Sequence, residues 1–500
     1  MTQTAVPAGA LDRALDAFTE ALGSDNVLTS AEDLLEWRDP YDYKGSDEYT
    51  GAAVVFPTTV EEVQAIVRIA NEHKVPLWTS GQGRNYAYGG PAPRVRGSVL
   101  LSFRRMNRVL EVNEELAYAL IEPGVRFFDL FEHLQAGGHR LWPSIPDLGW
   151  GSVVGNTLEY GRGYTPYGDH PSTACGFEVV LPNGDLLRTG MGAMANTKTW
   201  NAYHYPFGPN HAGLFFQSNL GIVTKMGVWL MRQPELYLSG WARFQDDESV
   251  GPLIDAVREL MLEGVIRNLP LLAHGLSVGE GESSLFEEGW AMRFALYGRT
   301  ALVESNYEIV REALEAVPGV EVGRRLFDWE ERAQADDHND KVQGGIPGLE
   351  LLEAFKIPYG EDTGHVDVST VGPLVGDDVV ASIKLNRKLY EGSGFPYLVG
   401  ILLLQRSVLH ISTLFFDTKD EQQTRAAYDT YHMLVRELAK AGYPIYRTNL
   451  QSMDVVAETF DFNDHAQRRF NELLKDTLDP NGILSPGKQG IWPRSMRPAR

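Results

Sequence analysis

PDLGWGSVVGNTLEYGRGYTPYGDH, running from Pro146 to His170, is the stretch on which the reading of this chain turns. It holds six glycines, two prolines, three carboxylates and three tyrosines, with no sustained helix or strand periodicity. Glycine lets backbone amides approach a ligand closely because no Cβ stands in the way. Long irregular segments inside compact domains are uncommon and usually functional. The stretch therefore lines a large cofactor or forms a glycine-rich surface loop.

Upstream, Ala52 to Phe56 is apolar and ends at Pro57, which predicts a strand. Thr58 and Glu61 have capping-box spacing, and Val63, Ile66, Val67 and Ala70 recur at helical spacing. Val75 to Thr79 predicts a second strand, completing a strand–helix–strand unit. That unit runs into a second glycine-rich loop, SGQGRNYAYGG, Ser80 to Gly90. Successive free N–H groups after a strand make an anion cradle. The spacing matches neither the dinucleotide GxGxxG nor the P-loop signature. Further strands are predicted at Ser98 to Phe103, Ala117 to Ile121, Gly176 to Leu181 and Ile222 to Met231, with a helix near Phe127 to Gln135. From about Trp241 longer amphipathic helices appear, at Val303 to Val317 and Gln422 to Lys440.

The composition narrows the partners. With 45 basic against 67 acidic residues, the net charge of −22 argues against nucleic acid or an anionic membrane. A single cysteine, Cys175, allows no intrachain disulfide and no cysteine metal cluster, and no metal site is expected. The longest apolar run, Pro396 to Leu404, is about half the length of a membrane helix and reads as a buried strand. No secretory signal is visible, so a soluble, cytoplasmic protein is expected.

Seven pieces, in order, resemble the vanillyl-alcohol oxidase flavoprotein family, nearest its eugenol and 4-alkylphenol oxidase branch. They are PLWTSGQGRNYAYGG, MNRVLEVNEELAYALIEPGV, PDLGWGSVVGNTL, GYTPYGDH, QSNLGIVTKMG, YRTNLQSMD and DPNGILSPGKQGIW. The resemblance implies an α+β, two-domain FAD-binding fold of the p-cresol methylhydroxylase type. An FAD-binding domain (1–240) would carry a substrate-cap domain (241–445), and 446–500 would return to the first domain. It also implies a homodimer or higher homo-oligomer.

Residue by residue, the resemblance puts Ser80, Gly81, Gln82, Gly83, Arg84 and Asn85 around the FAD pyrophosphate. Gly151, Ser152, Gly155 and Asn156, with Ile222 and Val223, match backbone against the flavin. Lys488 lies in the matched PGK turn, near the cofactor or simply exposed. Tyr88, Tyr446 and Arg447 match residues holding the phenolic oxygen, although adjacent strand residues such as Tyr446 and Arg447 ordinarily point to opposite faces. Asp147 matches the carboxylate beside flavin N5, an acid/base, and Tyr167 a further pocket tyrosine. His365 matches the histidine bonded covalently to FAD in several members. Pro146 stands where proline or glycine resembles the oxygen-reactive members. Asp367, Gly400 and Ile411 map to the pocket lining. Asp367 replaces glycine or a bulky aromatic, and is expected to contact a polar or cationic substrate tail or to reshape the pocket around a water; Gly400 replaces a larger residue. His410 reads as a core histidine.

The expected activity is FAD-dependent oxidation of para-substituted phenols (4-alkylphenols, 4-hydroxybenzyl alcohols, allyl phenols) through a p-quinone methide, with O₂ reduced to H₂O₂. A cytochrome-coupled methylhydroxylase of the p-cresol type is the alternative, with His365 and Pro146 weighing against it. A non-enzymatic flavin binder would be expected to lose the set Tyr88, Asp147, Tyr446 and Arg447. An oxidase of sugars or amines would take up oxygen with non-phenolic alcohols.

Overall fold

The computed structural model describes residues 9–42, 48–85, 88–276 and 285–497. Three larger sheets organise them, beside a two-stranded ribbon of Leu141–Trp142 and Met231–Arg232. The first is four-stranded, ordered Val27–Leu28, Ala53–Val55, Val99–Ser102, Leu77–Ser80, with its last three strands parallel. The predicted strand–helix–strand unit supplies two of these strands. Its helix, Val60–His73, buries Val63, Ile66, Val67 and Ala70 against the sheet, as their spacing requires. The cap falls one residue later than predicted. The Thr59 side chain accepts from the Glu62 amide, and Glu62 reaches back to the Thr58 N–H at 2.6 Å.

The second sheet is five-stranded and antiparallel, in the order Val109–Asn113, Tyr118–Ile121, Ile222–Trp229, Ala174–Val180, Leu186–Arg188. The chain's far end returns to the first sheet. Leu77 donates to the Ile483 carbonyl and Ser485 donates to the Leu77 carbonyl, so residues 483–485 extend its edge. A fully buried Lys475–Asp479 ion pair of 2.7 Å holds this return, with the ammonium also donating to the carbonyls of Asn219 and Leu484.

The third sheet is antiparallel, with eight strands in the order Glu321–Phe327, Leu236–Phe244, Leu285–Gly298, Leu271–Leu276, Val399–Leu403, Ser407–Asp417, Thr363–Pro373, Ile445–Arg447. The apolar run near Pro396 is the buried strand Val399–Leu403 within it. Helices Val250–Leu262, Thr300–Glu315, Gly376–Tyr390 and Glu421–Lys440 accompany it, each with a buried stripe. The last strand carries Tyr446 and Arg447, so a cut at 445/446 would fall inside this sheet's edge strand. No described helix is long and apolar enough to cross a membrane.

Candidate active site

A cavity of about 460 Å³ lies where the glycine-rich loops meet the inner face of the eight-stranded sheet. Ser80 to Asn85, Tyr88, Pro146, Asp147, Gly151, Ser152, Gly155, Asn156, Ile222, Val223, Asp367, Gly400, Ile411, Tyr446, Arg447 and Lys488 all line it. Two expected residues do not, His365 and Tyr167.

The loop glycines have structural causes. A Cβ on Gly81 would stand 2.7 Å from the Ser152 Cβ, so only glycine lets the two loops close on each other. Gly83 takes φ +72°, in the left-handed region. A Cβ on Gly151 would meet nothing nearer than the Arg84 carbonyl oxygen at 3.8 Å. The open space at this lining position is therefore kept clear for something other than protein. Two non-glycine lining residues, Gln217 (φ 41°) and Ser485 (φ 38°), also occupy the left-handed region, the kind of strain that collects at ligand sites. Lys488 forms an ion pair with Glu159 on the cavity wall. A cavity lined by two glycine-rich loops, with its lysine paired to Glu159, fits a dinucleotide such as FAD held by the main-chain donors of those loops.

One end of the sheet face is built around Arg447. The pairing of Thr363–Pro373 with Ile445–Arg447 is irregular: Thr370 faces Ile445 and Ser369 faces Arg447, leaving Tyr446 as an extra residue. A bulge of this kind re-aims side chains, and both Tyr446 and Arg447 reach the cavity. The Arg447 guanidinium lies 4.3 Å from the centre of the Tyr88 ring and donates to Asn85 Oδ1 at 2.8 Å. Its Nε is buried with no acceptor among the described residues. The Tyr88 and Ser369 hydroxyls share a hydrogen bond of 2.8 Å. Burial, reinforced by Tyr446 and Asp367, pushes the Tyr88 phenol well above its usual range, so it stays protonated and can donate.

Asp147 stands at the other end. Arg293 donates to its Oδ1 at 2.9 Å, His338 Nε2 lies 3.1 Å from the same oxygen, and the Tyr164 hydroxyl donates to Oδ2. Burial alone would raise this carboxyl. Arg293, His338 and Tyr164 together outweigh burial and hold it below the usual carboxylate range. His338 is moved the other way: burial lowers it, but its bonds to Asp147 and Glu350 prevail and raise it. Arg293 also stacks 3.9 Å from the Tyr164 ring centre and donates to Asn339 Oδ1 at 2.6 Å.

These are the residues the sequence reading missed. Arg293 and His338 carry no local signal, whereas Tyr164 lies three residues from the tyrosine that was singled out. Tyr167 packs instead with the Trp142, Met231 and Tyr237 cluster. The cause is a tight turn in which Gly168 donates to the Thr165 carbonyl and Tyr167 to Thr165 Oγ1, swinging Tyr167 away from the face used by Tyr164.

His365 is fully buried behind the cavity wall. Its ring centre is 4.9 Å from that of Phe355, a lining residue, and Nδ1 is 3.3 Å from the Tyr41 hydroxyl. Burial pushes its pKa down to about 3, so the imidazole is neutral. Asp367, two residues on along the same strand, enters the cavity and accepts from Thr413 Oγ1 at 2.7 Å. His410 is a core histidine, held by Ser382 and Tyr397 at 2.9 Å each.

Residues 51–190 match the FAD binding domain family. The 4-cresol dehydrogenase (hydroxylating) flavoprotein subunit of Pseudomonas putida is 31% identical over 97% of this chain and 96% of its own. The 1'-carboxy-chondrochloren decarboxylase of Chondromyces crocatus is 31% identical over 97% of this chain and 98% of its own. Among solved structures, the 4-ethylphenol oxidase from Gulosibacter chungangensis, in an isoeugenol complex, superposes with TM-score 0.92 at 33% identity. That match covers 99% of this chain and 100% of the other. p-Cresol methylhydroxylase with substrate bound gives TM-score 0.90 at 30% identity over 98% of each chain. Similarity of this extent, joined to a cavity built for a dinucleotide, makes this chain a member of the vanillyl-alcohol oxidase and p-cresol methylhydroxylase family, an FAD-dependent oxidoreductase.

Proposed function

We propose that the protein oxidises para-substituted phenols at the carbon attached to the ring, with dioxygen as the terminal acceptor and hydrogen peroxide as product. The observation that carries this reading is the two-ended cavity, with the Arg447 cation and the buried Tyr88 phenol at one end and, at the other, the Asp147 carboxylate with Arg293, His338 and Tyr164 around it. FAD, when bound, supplies the hydride acceptor. The glycine-rich loop Ser80 to Asn85 and the stretch Gly151 to Asn156 would hold it through main-chain donors.

Arg447 and Tyr88 stabilise the substrate as phenolate. A charge-assisted hydrogen bond favours the anion, and a phenol needs that help because its pKa is about 10. Tyr446 completes the clamp. Phenolate pushes electron density toward the para carbon and eases hydride loss there, leaving a p-quinone methide. Asp147, kept ionised by Arg293 and His338, orients the water or hydroxyl that meets the quinone methide. Water access decides among hydroxylation, dehydrogenation and alcohol oxidation. Pro146, directly before Asp147, supports oxygen as acceptor by resemblance to oxygen-reactive relatives.

His365 is proposed as the residue bonded to the flavin 8α carbon. A neutral imidazole is the nucleophilic form, and burial maintains it. Acid precipitation should leave yellow flavin on the protein and release it from His365→Ala; flavin released equally from both would sink the covalent link.

The decisive test is anaerobic mixing of the holoenzyme with 4-ethylphenol and with vanillyl alcohol, watching the flavin band at about 450 nm, then admitting air. Bleaching followed by rapid recovery with peroxide is the expected result. Bleaching without recovery in air would overturn the oxidase reading in favour of a protein electron acceptor. No bleaching with either compound would overturn the phenol reading.

A further inference from the structure

Asp367 is the anomaly of this cavity. Its Oδ1 accepts from Thr413 Oγ1 at 2.7 Å, and among the described residues Oδ2 has no hydrogen-bond donor. An unpaired carboxylate oxygen facing a largely apolar cavity is costly unless a ligand completes it. The register fixes where that oxygen lies. Ser369, two residues along and on the same face, is bonded to the Tyr88 hydroxyl. Ser369 is paired directly with Arg447 on one side and Ile411 on the other, and Ile411 with Gly400.

Asp367 is thus at the Arg447 end of the face. Asp147 is held at the far end through Arg293, on the strand Leu285–Gly298, with Leu271, Leu402, Gly400 and Ile411 lining the cavity between. A substrate whose oxygen is clamped by Arg447 and whose para chain points to Asp147 brings its ring edge, not its tail, to Asp367. Gly400 leaves room at that edge: a Cβ there would meet only Leu271 Cδ1, at 3.5 Å.

We propose that Asp367 is a specificity-determining residue that accepts a hydrogen bond from a hydroxyl on the ring carbon next to the reacting phenol, so that the preferred substrates are 4-alkylcatechols. This rests on the phenol-oxidising reading above and deepens it. With a bare 4-alkylphenol, the Asp367 carboxylate and the developing phenolate are two anions flanking one guanidinium. An ortho hydroxyl between them donates to Asp367 and relieves both. An ortho methoxy group cannot donate and sets its ether oxygen against the carboxylate.

The test is anaerobic stopped-flow reduction of the holoenzyme by 4-ethylphenol, 4-ethylcatechol and 4-ethyl-2-methoxyphenol, in the wild type, Asp367→Gly and Asp367→Asn. Each variant is first checked for its flavin spectrum. The wild type should favour the catechol over the methoxyphenol by roughly 10- to 100-fold, the discrimination expected when a buried charged acceptor is left unpaired. The difference should appear mainly in the substrate dissociation constant, not in the limiting rate. Asp367→Gly should erase the preference. Asp367→Asn, whose amide can donate, should move it toward the methoxyphenol, and gives the answer if the glycine variant does not fold. A wild type that does not prefer the catechol, or an unchanged ratio in the folded variants, overturns the assignment while leaving phenol oxidation standing. Failure of all three compounds to bleach the wild-type flavin overturns the underlying reading as well.

Discussion

Replacing Arg293 by methionine, nearly matched in length and without charge, isolates what holds Asp147 ionised. At 2.9 Å and an effective dielectric of 20, the gross attraction between the two charges is about 6 kcal/mol. Much of this is offset by the desolvation of burying both, Arg293 being only 2% exposed. Removing one partner of a buried pair costs about 3–5 kcal/mol, because the other charge is stranded. His338 and Tyr164 remain on the carboxylate here, so the expectation is the low end, about 3 kcal/mol. Asp147→Asn, which leaves Arg293 with Asn339 and the Tyr164 ring, should cost less. The double variant should cost at least about 2 kcal/mol less than the sum of the two single changes.

Urea unfolding followed by far-UV circular dichroism at pH 7.5 reads all three. The folded-state pKa of Asp147 lies below the unfolded value of about 4, so its stabilisation is complete above that value. It is lost only as pH falls toward the folded value; pH 7.5 therefore measures the full effect. Formation of the hydrated product from 4-ethylphenol gives a second readout. On the role proposed for Asp147 toward the quinone methide, this step needs the carboxylate ionised, so its acid limb should move to higher pH in Arg293→Met. Single costs that add within about 0.5 kcal/mol, with an unmoved acid limb, would refute the coupling.

Two further outcomes follow from the same geometry. Tyr164→Phe should slow formation of the hydrated product by about tenfold, the loss of one hydrogen bond to a charged group, while Tyr167→Phe stays within about twofold; the reverse order in product assays would show that the turn at Thr165 presents the other ring. Burial pushes Asp367 up to about 6 against about 4 when unfolded, so its ionisation opposes folding increasingly as pH rises through that interval. Asp367→Asn should accordingly gain about 1–3 kcal/mol at pH 8 and about half of that at pH 5 in urea titrations, and an equal gain at both would contradict the raised pKa.

The glycine-rich loops were legible because their cause is local: Gly81 and Gly83 are required by a close approach and a left-handed turn. The helix over Val60–His73 was legible for the same reason, its buried stripe being written at helical spacing. Tyr446 and Arg447 were not legible from spacing, since strand alternation sends neighbours to opposite faces. A single bulge against Ser369 and Thr370 brings both to the cavity, and the family resemblance was needed to anticipate it. The Asp147–Arg293 pair joins residues 146 apart in the chain, and nothing near either one signals the other. Tyr164 and Tyr167 share composition and context; only the turn's hydrogen bonds separate them. Asp367 stood out as a departure, but its place at the Arg447 end depends on register across three strands.

The carboxylate on the loop at Asp147 is governed by two side chains, Arg293 and His338, that belong to the segment carrying the large sheet. Exchanging that segment between relatives would do more than change the walls of the binding site. A transplanted segment lacking an arginine and a histidine at these positions would leave the recipient's loop carboxylate with a different charge. One bringing them to a chain without the carboxylate would strand a buried cation. The two halves are therefore bound to change together, and successful recombinants should be those whose crossover points keep all three residues from a single parent.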